Sequence, residues 1–101
     1  MRIIEYESGQ GLEFEFDGLE GWKEFESIVN VLHHKLDCEI LEQHEGPYSK
    51  YCRMGKDGVL FRLINHPDLG NSLCLIEKDD TNNIFLRDLA NQAMKELMKE
   101  I

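Results

Sequence analysis

Four side chains that often bind transition metals fall between residues 33 and 44: His33, His34, Cys38 and His44. Zinc takes four nitrogen or sulfur ligands in a tetrahedron, and proteins usually supply them as closely spaced pairs such as Cys-x₂₋₄-Cys or His-x₃₋₅-His. Cys38 and His44 do not form such a pair, and the predicted first helix ends between His34 and Cys38. The pattern therefore favours surface histidines near a helix C-terminus, where positive charge is stabilised. We predict no metal and no cofactor.

Nucleophilic catalysis requires a cysteine or serine that is activated by a neighbouring base or by a helix N-terminus. Cys52 and Cys74 instead lie in predicted strands. The segment LINHPDLG places His66 and Asp68 on a predicted loop, and loops often carry functional residues. An aspartate next to a proline is also typical of a turn. A small enzyme or a ligand-binding or metal-binding protein that uses the His66 loop, or an open face of the predicted sheet, is therefore an alternative and not the leading hypothesis.

Acidic and apolar side chains alternate in GLEFEFDG, residues 11–18. Since strand side chains alternate between two faces, Leu12, Phe14 and Phe16 are predicted to face the core, whereas Glu13 and Glu15 are predicted to face outward. Two carboxylates on one exposed face should both ionise, which makes them a poor acid–base pair. They are candidates for contacts with a cationic partner.

The net charge of −9 is unevenly distributed along the chain. Residues 1–47 contain 12 carboxylates and three lysines or arginines, whereas residues 48–101 contain eight of each. A negative field of this kind repels nucleic acid and anionic membranes and attracts cationic proteins. Because a run of charge is often just a solvated surface, plain solubility is the competing interpretation.

The strands that must position these residues follow from period-two patterns bounded by turn residues. Six are predicted, at Arg2–Glu7, Leu12–Asp17, Cys38–Glu45, Lys50–Met54, Val59–Ile64 and Ser72–Glu77. Residues 65–71 are predicted to form a loop, because Pro67 cannot donate a backbone hydrogen bond to a neighbouring strand.

Two helices are predicted from apolar residues that recur at spacings of three and four. The first follows the stripe from Trp22 to Leu36, and the second runs from about residue 82 to the end. Asp17 and Glu20 fit a capping box for the first helix. Residues 79–82 offer N-terminal caps for the second.

The resulting order, ββαββββα, predicts a single α+β domain over residues 1–101. Short turns favour antiparallel pairing, and a helix with one apolar stripe must bury it against another layer. We predict a two-layer sandwich in which a mainly antiparallel sheet of five or six strands carries both helices on one face. The other face would be open to solvent or to a partner.

The composition also bears on compartment and ligand class. No segment reaches the roughly 18–20 apolar residues of a membrane span, and MRIIEYESGQ lacks the apolar stretch of a secretory signal. Three cysteines at irregular spacings argue against a disulfide framework. We therefore expect a cytoplasmic protein with reduced, buried thiols. The sequence contains no phosphate-binding glycine-rich motif and no extended basic patch for nucleic acid.

A second candidate surface lies in YSKYCRM, which contains Tyr48, Tyr51 and Arg53. Tyrosine and arginine are enriched in interface hot spots. The competing interpretation is that half of this segment belongs to the core. Exposed strand edges can also pair with another copy, so a homodimer is allowed.

These features predict a non-enzymatic protein-binding domain, an acidic inhibitor or escort that binds a basic partner protein. The candidate contact residues are Glu13, Glu15, Glu39, Glu42, Tyr48, Tyr51 and Arg53. In size and acidity the chain is similar to bacterial immunity proteins and to acidic secretion chaperones, and a chaperone of that type is expected to dimerise. A structural subunit of a larger complex is the third interpretation.

Overall fold

The computed structural model describes residues 1–9, 11–47, 50–66 and 70–99. Six strands and two helices follow one another in the order ββαββββα: β1 (Arg2–Ser8), β2 (Gly11–Asp17), α1 (Trp22–Asn30), β3 (Glu39–Glu45), β4 (Lys50–Lys56), β5 (Val59–His66), β6 (Gly70–Leu75) and α2 (Asp80–Lys99). All neighbouring strands are antiparallel, in the sheet order β1-β2-β6-β5-β4-β3. The predicted α+β sandwich is confirmed.

One apolar core lies between the sheet and the helices. Phe14, Phe61 and Leu63 of the sheet are completely buried, and they belong to the same cluster as Ile28 of α1 and Leu86 of α2. Both helices therefore cover one face of the sheet, which we call the helix face. The opposite face, which has no helix, is the open face.

The β4–β5 hairpin shows why the strand boundaries fall where they do. Lys56 pairs with Val59, so the loop consists of Asp57 and Gly58, which have φ angles of 52° and 81°. Two-residue hairpin loops favour positive φ at both positions because this geometry matches the twist of the strands, and Asp-Gly suits it well. The sequence GKDG predicts a turn over residues 55–58, and the turn is present but confined to Asp57 and Gly58, because Gly55 and Lys56 belong to β4.

The predicted loop at residues 65–71 is much shorter than expected. Asn65 pairs with Asn71, and His66 pairs with Gly70, so all four lie in strands. The Asn65 amide donates to Asn71 Oδ1 at 2.8 Å, and the Asn71 amide donates to the carbonyl oxygens of Leu19 (2.7 Å) and Gly21 (3.1 Å). Pro67 and Asp68 lie outside the described residues.

These asparagines explain how α1 begins, and the predicted capping box is wrong. Helix α1 begins at Trp22 with Gly21 as its N-cap, and no side chain caps it. Asp17 ends β2 beside Arg2, while Glu20 accepts a hydrogen bond from the Gly18 N–H. The buried Asn71 side chain instead holds the chain that enters the helix.

The far end of α1 widens into a π-helical segment, Val31–Lys35. The Leu36 N–H donates to the Val31 carbonyl oxygen five residues back, and the chain then reverses at Asp37, whose φ is 58°. The helix thus ends between His34 and Cys38, as predicted.

Helix α2 begins as predicted too, because Asp79 Oδ1 accepts the N–H groups of Thr81 and Asn82. Neither helix, over its described residues, is long and apolar enough to cross a membrane.

Candidate functional site

Glu13 is on the predicted face of β2, but it is not exposed. It lies opposite Tyr6 and Cys74 on the open face, and only 2% of its surface is accessible. The prediction of an outward-facing pair of carboxylates is therefore wrong for Glu13. Alternation assigns a side chain to a face but does not say whether neighbouring strands cover it.

A polar cluster on the open face, formed by Tyr6, Glu13, His66 and Ser72, explains this burial. The Tyr6 hydroxyl donates to Glu13 Oε1 at 3.1 Å, and His66 Nε2 lies 3.1 Å from the same oxygen. The Ser72 hydroxyl is 3.4 Å from Tyr6 Oη. We call these four residues the Glu13 cluster. It joins Glu13 to His66, two residues that the sequence assigned to different hypotheses.

The Glu13 cluster contains part of a catalytic arrangement. A carboxylate that accepts a hydrogen bond from an imidazole can orient it as a general base. Ser72, however, is completely buried, and its hydroxyl faces Tyr6. The described part of the cluster thus offers a base at His66, which is 29% exposed, but no accessible nucleophile.

Glu15 is the half-buried neighbour of this cluster. Burial, together with the negative charges of Asp17 and Glu20, raises the pKa of the Glu15 carboxyl above its usual value. A partially desolvated carboxylate gains more from a cationic neighbour than a solvated one does. Glu15 therefore remains a candidate contact, although it does not share a fully exposed face with Glu13.

The candidates on β3 and β4 contact one another. The Tyr51 hydroxyl donates to Glu42 Oε1 at 2.8 Å, and Arg53 lies 3.6 Å from the other oxygen of the same carboxylate. His44 stacks on the Tyr51 ring, with centroids 5.1 Å apart. Both carboxylate oxygens of Glu42 thus have partners within the protein. Tyr48, another candidate in this segment, lies outside the described residues.

The YSKYCRM segment divides between the two faces of β4. Cys52 and Met54 are completely buried in the core, whereas Tyr51 and Arg53 are half-buried on the open face. Met54 therefore belongs to the core, whereas Tyr51 and Arg53 remain candidates for contacts with a partner. Cys52 and Met54 thus agree with the competing interpretation, in which half of the segment belongs to the core.

The four possible metal ligands are not brought together. His33 Nδ1 donates to the Cys38 carbonyl oxygen at 2.8 Å, and His44 packs against Tyr51 on the open face. Over residues 1–9, 11–47, 50–66 and 70–99, no group of three or more His, Cys, Asp or Glu side chains has the arrangement of a metal site.

The thiols are poor nucleophiles. All three cysteines are free and buried. Burial raises the pKa of both Cys38 and Cys52 to about 11, and it also raises the pKa of Cys74. Since the thiolate is the reactive form, these residues contribute to packing rather than to covalent chemistry.

An apolar recess that the sequence did not reveal lies near the β4–β5 turn. A methyl group placed on Gly55 would lie 3.4 Å from Leu60 Cδ2 and 3.6 Å from Leu41 Cδ1. Leu41 and Leu60 are 46% and 48% exposed. We call Leu41, Gly55 and Leu60 the notch. Sequence reasoning treated Gly55 as a turn residue, and the irregular pairing between Ile40 and Glu42, which frees Leu41 from the regular alternation, has no sequence signature.

Carboxylates surround the notch. Asp37, Glu39 and Asp57 line the same cleft, whose volume is about 290 Å³. All three are exposed, and none forms an ion pair within the described part of the chain. Lys56 also lines the cleft, but its ammonium donates to the Leu36 carbonyl oxygen. The notch is therefore an apolar recess with an acidic rim.

Comparison with known proteins gives no relative from which a role could be transferred. No family model matches the chain, and no curated protein or solved structure is significantly similar to it.

Proposed function

We propose that this protein is an acidic inhibitor or escort that binds a basic partner protein, and that the notch and its rim form the centre of the contact. The observation that carries the proposal is the combination, in one cleft, of two exposed leucines with three carboxylates that form no ion pair within the described residues. Interfaces typically bury an apolar centre and leave a polar rim that excludes water.

The two parts of this surface have different physical roles. Unpaired carboxylates attract a cationic surface over a distance of about one Debye length, roughly 8–10 Å at physiological salt, and they raise the association rate. The leucines give affinity at short range, at about 25 cal/mol for each Å² of apolar surface removed from water. An acidic inhibitor or escort of a cationic protein needs both contributions.

Among the carboxylates predicted as contacts, Glu39 fits this surface best. Glu13 is buried under Tyr6 and His66, and Glu42 is hydrogen-bonded to Tyr51. Glu39 is exposed and lies opposite Gly55 in the sheet. The proposal therefore keeps the basic partner and moves the centre of the contact from β2 to the end of β3 and the β4–β5 hairpin.

Affinity capture with matched charge variants tests this proposal. The tagged protein is immobilised, exposed to lysate of its source organism and washed at low and at high salt. The contact variant is Glu39→Lys with Asp57→Asn, because asparagine tolerates the positive φ of residue 57. The control is Glu7→Lys with Asp88→Asn, which changes the net charge equally at exposed positions of β1 and α2.

The expected result is a basic protein that is retained by the wild type and by the control but not by the contact variant. Gly55→Val, which fills the notch without changing charge, should weaken retention at high salt. If both charge variants lose the protein equally, the attraction is unspecific, and the notch is not the binding site.

A small enzyme or ligand-binding protein is the second candidate, and one observation favours it. His66 Nε2 contacts the buried Glu13 carboxylate and is partly open to solvent. A ligand that binds there should shift the His66 ring signals in an NMR screen of small molecules. Unchanged His66 signals across that screen would count against this candidate.

A further inference from the structure

We propose that β3 is a docking edge, to which an extended basic segment of another protein adds as a seventh strand. This inference rests on the proposed function and specifies how the partner's backbone would bind. In such complexes the main chain supplies hydrogen bonds to a free sheet edge, and alternate side chains supply specificity.

The first argument is the exposure of β3. It ends the sheet order, so one side of its backbone has no neighbouring strand in the described sheet, and all of its residues except Ile40 are exposed. A cleft of about 240 Å³ separates it from α1 and is lined by residues that include Val29, His33 and Gln43. Helix α1 therefore leaves the helix face of β3 accessible as well.

The other edge of the sheet is more protected. Helix α2 packs against β1, and Arg87 in the helix forms an ion pair with Glu5 in the strand. Residues of β1 are half-buried at four of seven positions. Of the two edges, β3 is the one that offers its backbone together with both of its faces.

The second argument is the charge pattern of β3, which disfavours pairing with a second copy. In an antiparallel pair of two β3 strands centred on Glu42, this residue would lie opposite Glu42 of the other copy. Like charges directly opposite each other destabilise a strand pair. Glu39, which is exposed and forms no ion pair within the described residues, favours a strand with lysine or arginine at the facing position. The pattern therefore selects a basic partner over self-association.

The geometry also specifies the side chains of that partner. Glu39 and Glu42 lie on the open face, and Leu41 lies between them beside the notch. The expected partner segment therefore has basic residues at alternate positions, with an apolar residue near Leu41.

A synthetic peptide probes this inference directly. The probe is a fluorescein-labelled peptide of alternating lysine and valine, nine residues long, and its binding is measured by fluorescence anisotropy. The control peptide has the same sequence with a methyl group on every internal backbone nitrogen, so its charge is unchanged but its backbone donors are lost. We expect the methylated peptide to bind at least tenfold more weakly. In amide hydrogen exchange, the unmethylated peptide should protect residues 39–45.

Protein variants locate the binding. Glu39→Gln should weaken binding of the unmethylated peptide about threefold, whereas Glu7→Gln, which changes the net charge equally at an exposed position of β1, should leave it nearly unchanged. Protection of residues 2–8 in place of 39–45, or sedimentation of the protein as a dimer through β3, would overturn the proposal.

The outcomes also separate this inference from the proposed function. If both peptides bind equally and the contact variant still loses its partner in affinity capture, the protein binds a basic partner without strand addition. If no basic protein is retained and neither peptide binds, both proposals fail.

Discussion

The carboxylate of Glu13 and the imidazole of His66 meet 3.1 Å apart on the open face, although 53 residues separate them in the chain. Tyr6 donates to the same carboxylate oxygen. A carboxylate that is only 2% accessible remains stable there because two donors replace the water that it has lost. Its role in the folded protein is therefore structural.

The first prediction concerns this buried carboxylate. Glu13→Ala leaves the Tyr6 hydroxyl and the His66 ring without an acceptor, and a lost partner of this kind costs about 1–3 kcal/mol. We expect a loss of about 2 kcal/mol in the free energy of unfolding, measured by urea denaturation at pH 7. Glu13→Gln keeps one oxygen acceptor and should cost about half as much. A Glu13→Ala protein as stable as the wild type would show that the cluster contributes nothing to stability.

The second prediction concerns Asn71, which is completely buried. Its amide donates to two carbonyl oxygens of the chain that enters α1. Asn71→Ala should cost about 2–4 kcal/mol. It removes the donor to the Leu19 carbonyl and the acceptor of the Asn65 amide and creates a small cavity, although the Gly21 carbonyl keeps the Phe25 N–H. Asn71→Asp is nearly isosteric but should cost more, because it places carboxylate oxygens against those carbonyls. Equal stabilities of the two variants would contradict the donor role.

Glu13 and Asn71 also show which features of the structure the sequence predicts and which it does not. Alternation and helical spacing predicted every strand and helix and the face on which both helices lie, because these depend on local periodicity. Alternation within β2 predicts that Glu13 is exposed. It is buried because Tyr6 and His66, which lie on other strands, cover it, and the pattern of a single strand does not include them. Pro67 predicts a loop that includes Asn65 and Asn71, because proline cannot donate to a neighbouring strand. In the structure both asparagines lie in strands and hold the entry to α1.

The candidate surface was harder to predict than the fold. Glu39 was identified from its charge, and it lies at the rim of the notch. The notch itself depends on Gly55 lying between Leu41 and Leu60, which are 14 and five residues away in the chain. Contacts between strands fix such a recess, and the spacing of residues along one segment does not reveal it.

The third prediction concerns Lys50, whose side chain is 6% exposed. Its ammonium lies 3.3 Å from both Glu26 and Glu45 and 4.8 Å from the Trp22 ring centroid. Burial alone would lower the pKa of Lys50, but hydrogen bonds to the two carboxylates raise it above its usual value. The lysine is thus charged and links α1 to the β3–β4 hairpin.

We expect Lys50→Met to cost about 1 kcal/mol, because the two glutamates are exposed and can be hydrated, and the cation–π contact is worth about 0.5–2 kcal/mol. Lys50→Glu should cost more than 3 kcal/mol, since it buries a third carboxylate beside two others. Trp22 is the single tryptophan, so its fluorescence reports the loss of the ammonium. Unchanged emission in Lys50→Met would contradict the contact.

The last prediction is a loss of stability in alkali. Burial raises the pKa of Cys38 and Cys52 from 9.0 to about 11. An acid whose pKa is higher in the folded protein contributes its full stabilisation below the unfolded pKa, and this contribution is lost as the pH rises through the folded pKa. The free energy of unfolding should therefore fall between about pH 9 and pH 11, by at most about 2–3 kcal/mol for each thiol.

Urea denaturation at pH 8, 9 and 10 measures this slope. Cys38→Ala with Cys52→Ala removes both thiols and lowers stability at pH 8 through the cavities that it leaves, but its free energy of unfolding should change less between pH 9 and pH 10 than that of the wild type. Burial also raises the pKa of the Tyr6 phenol above 10.0, but Tyr6 is present in both proteins, so its contribution cancels in the comparison. Parallel slopes for the two proteins would mean that other groups cause the alkaline transition and that the buried thiols do not control it.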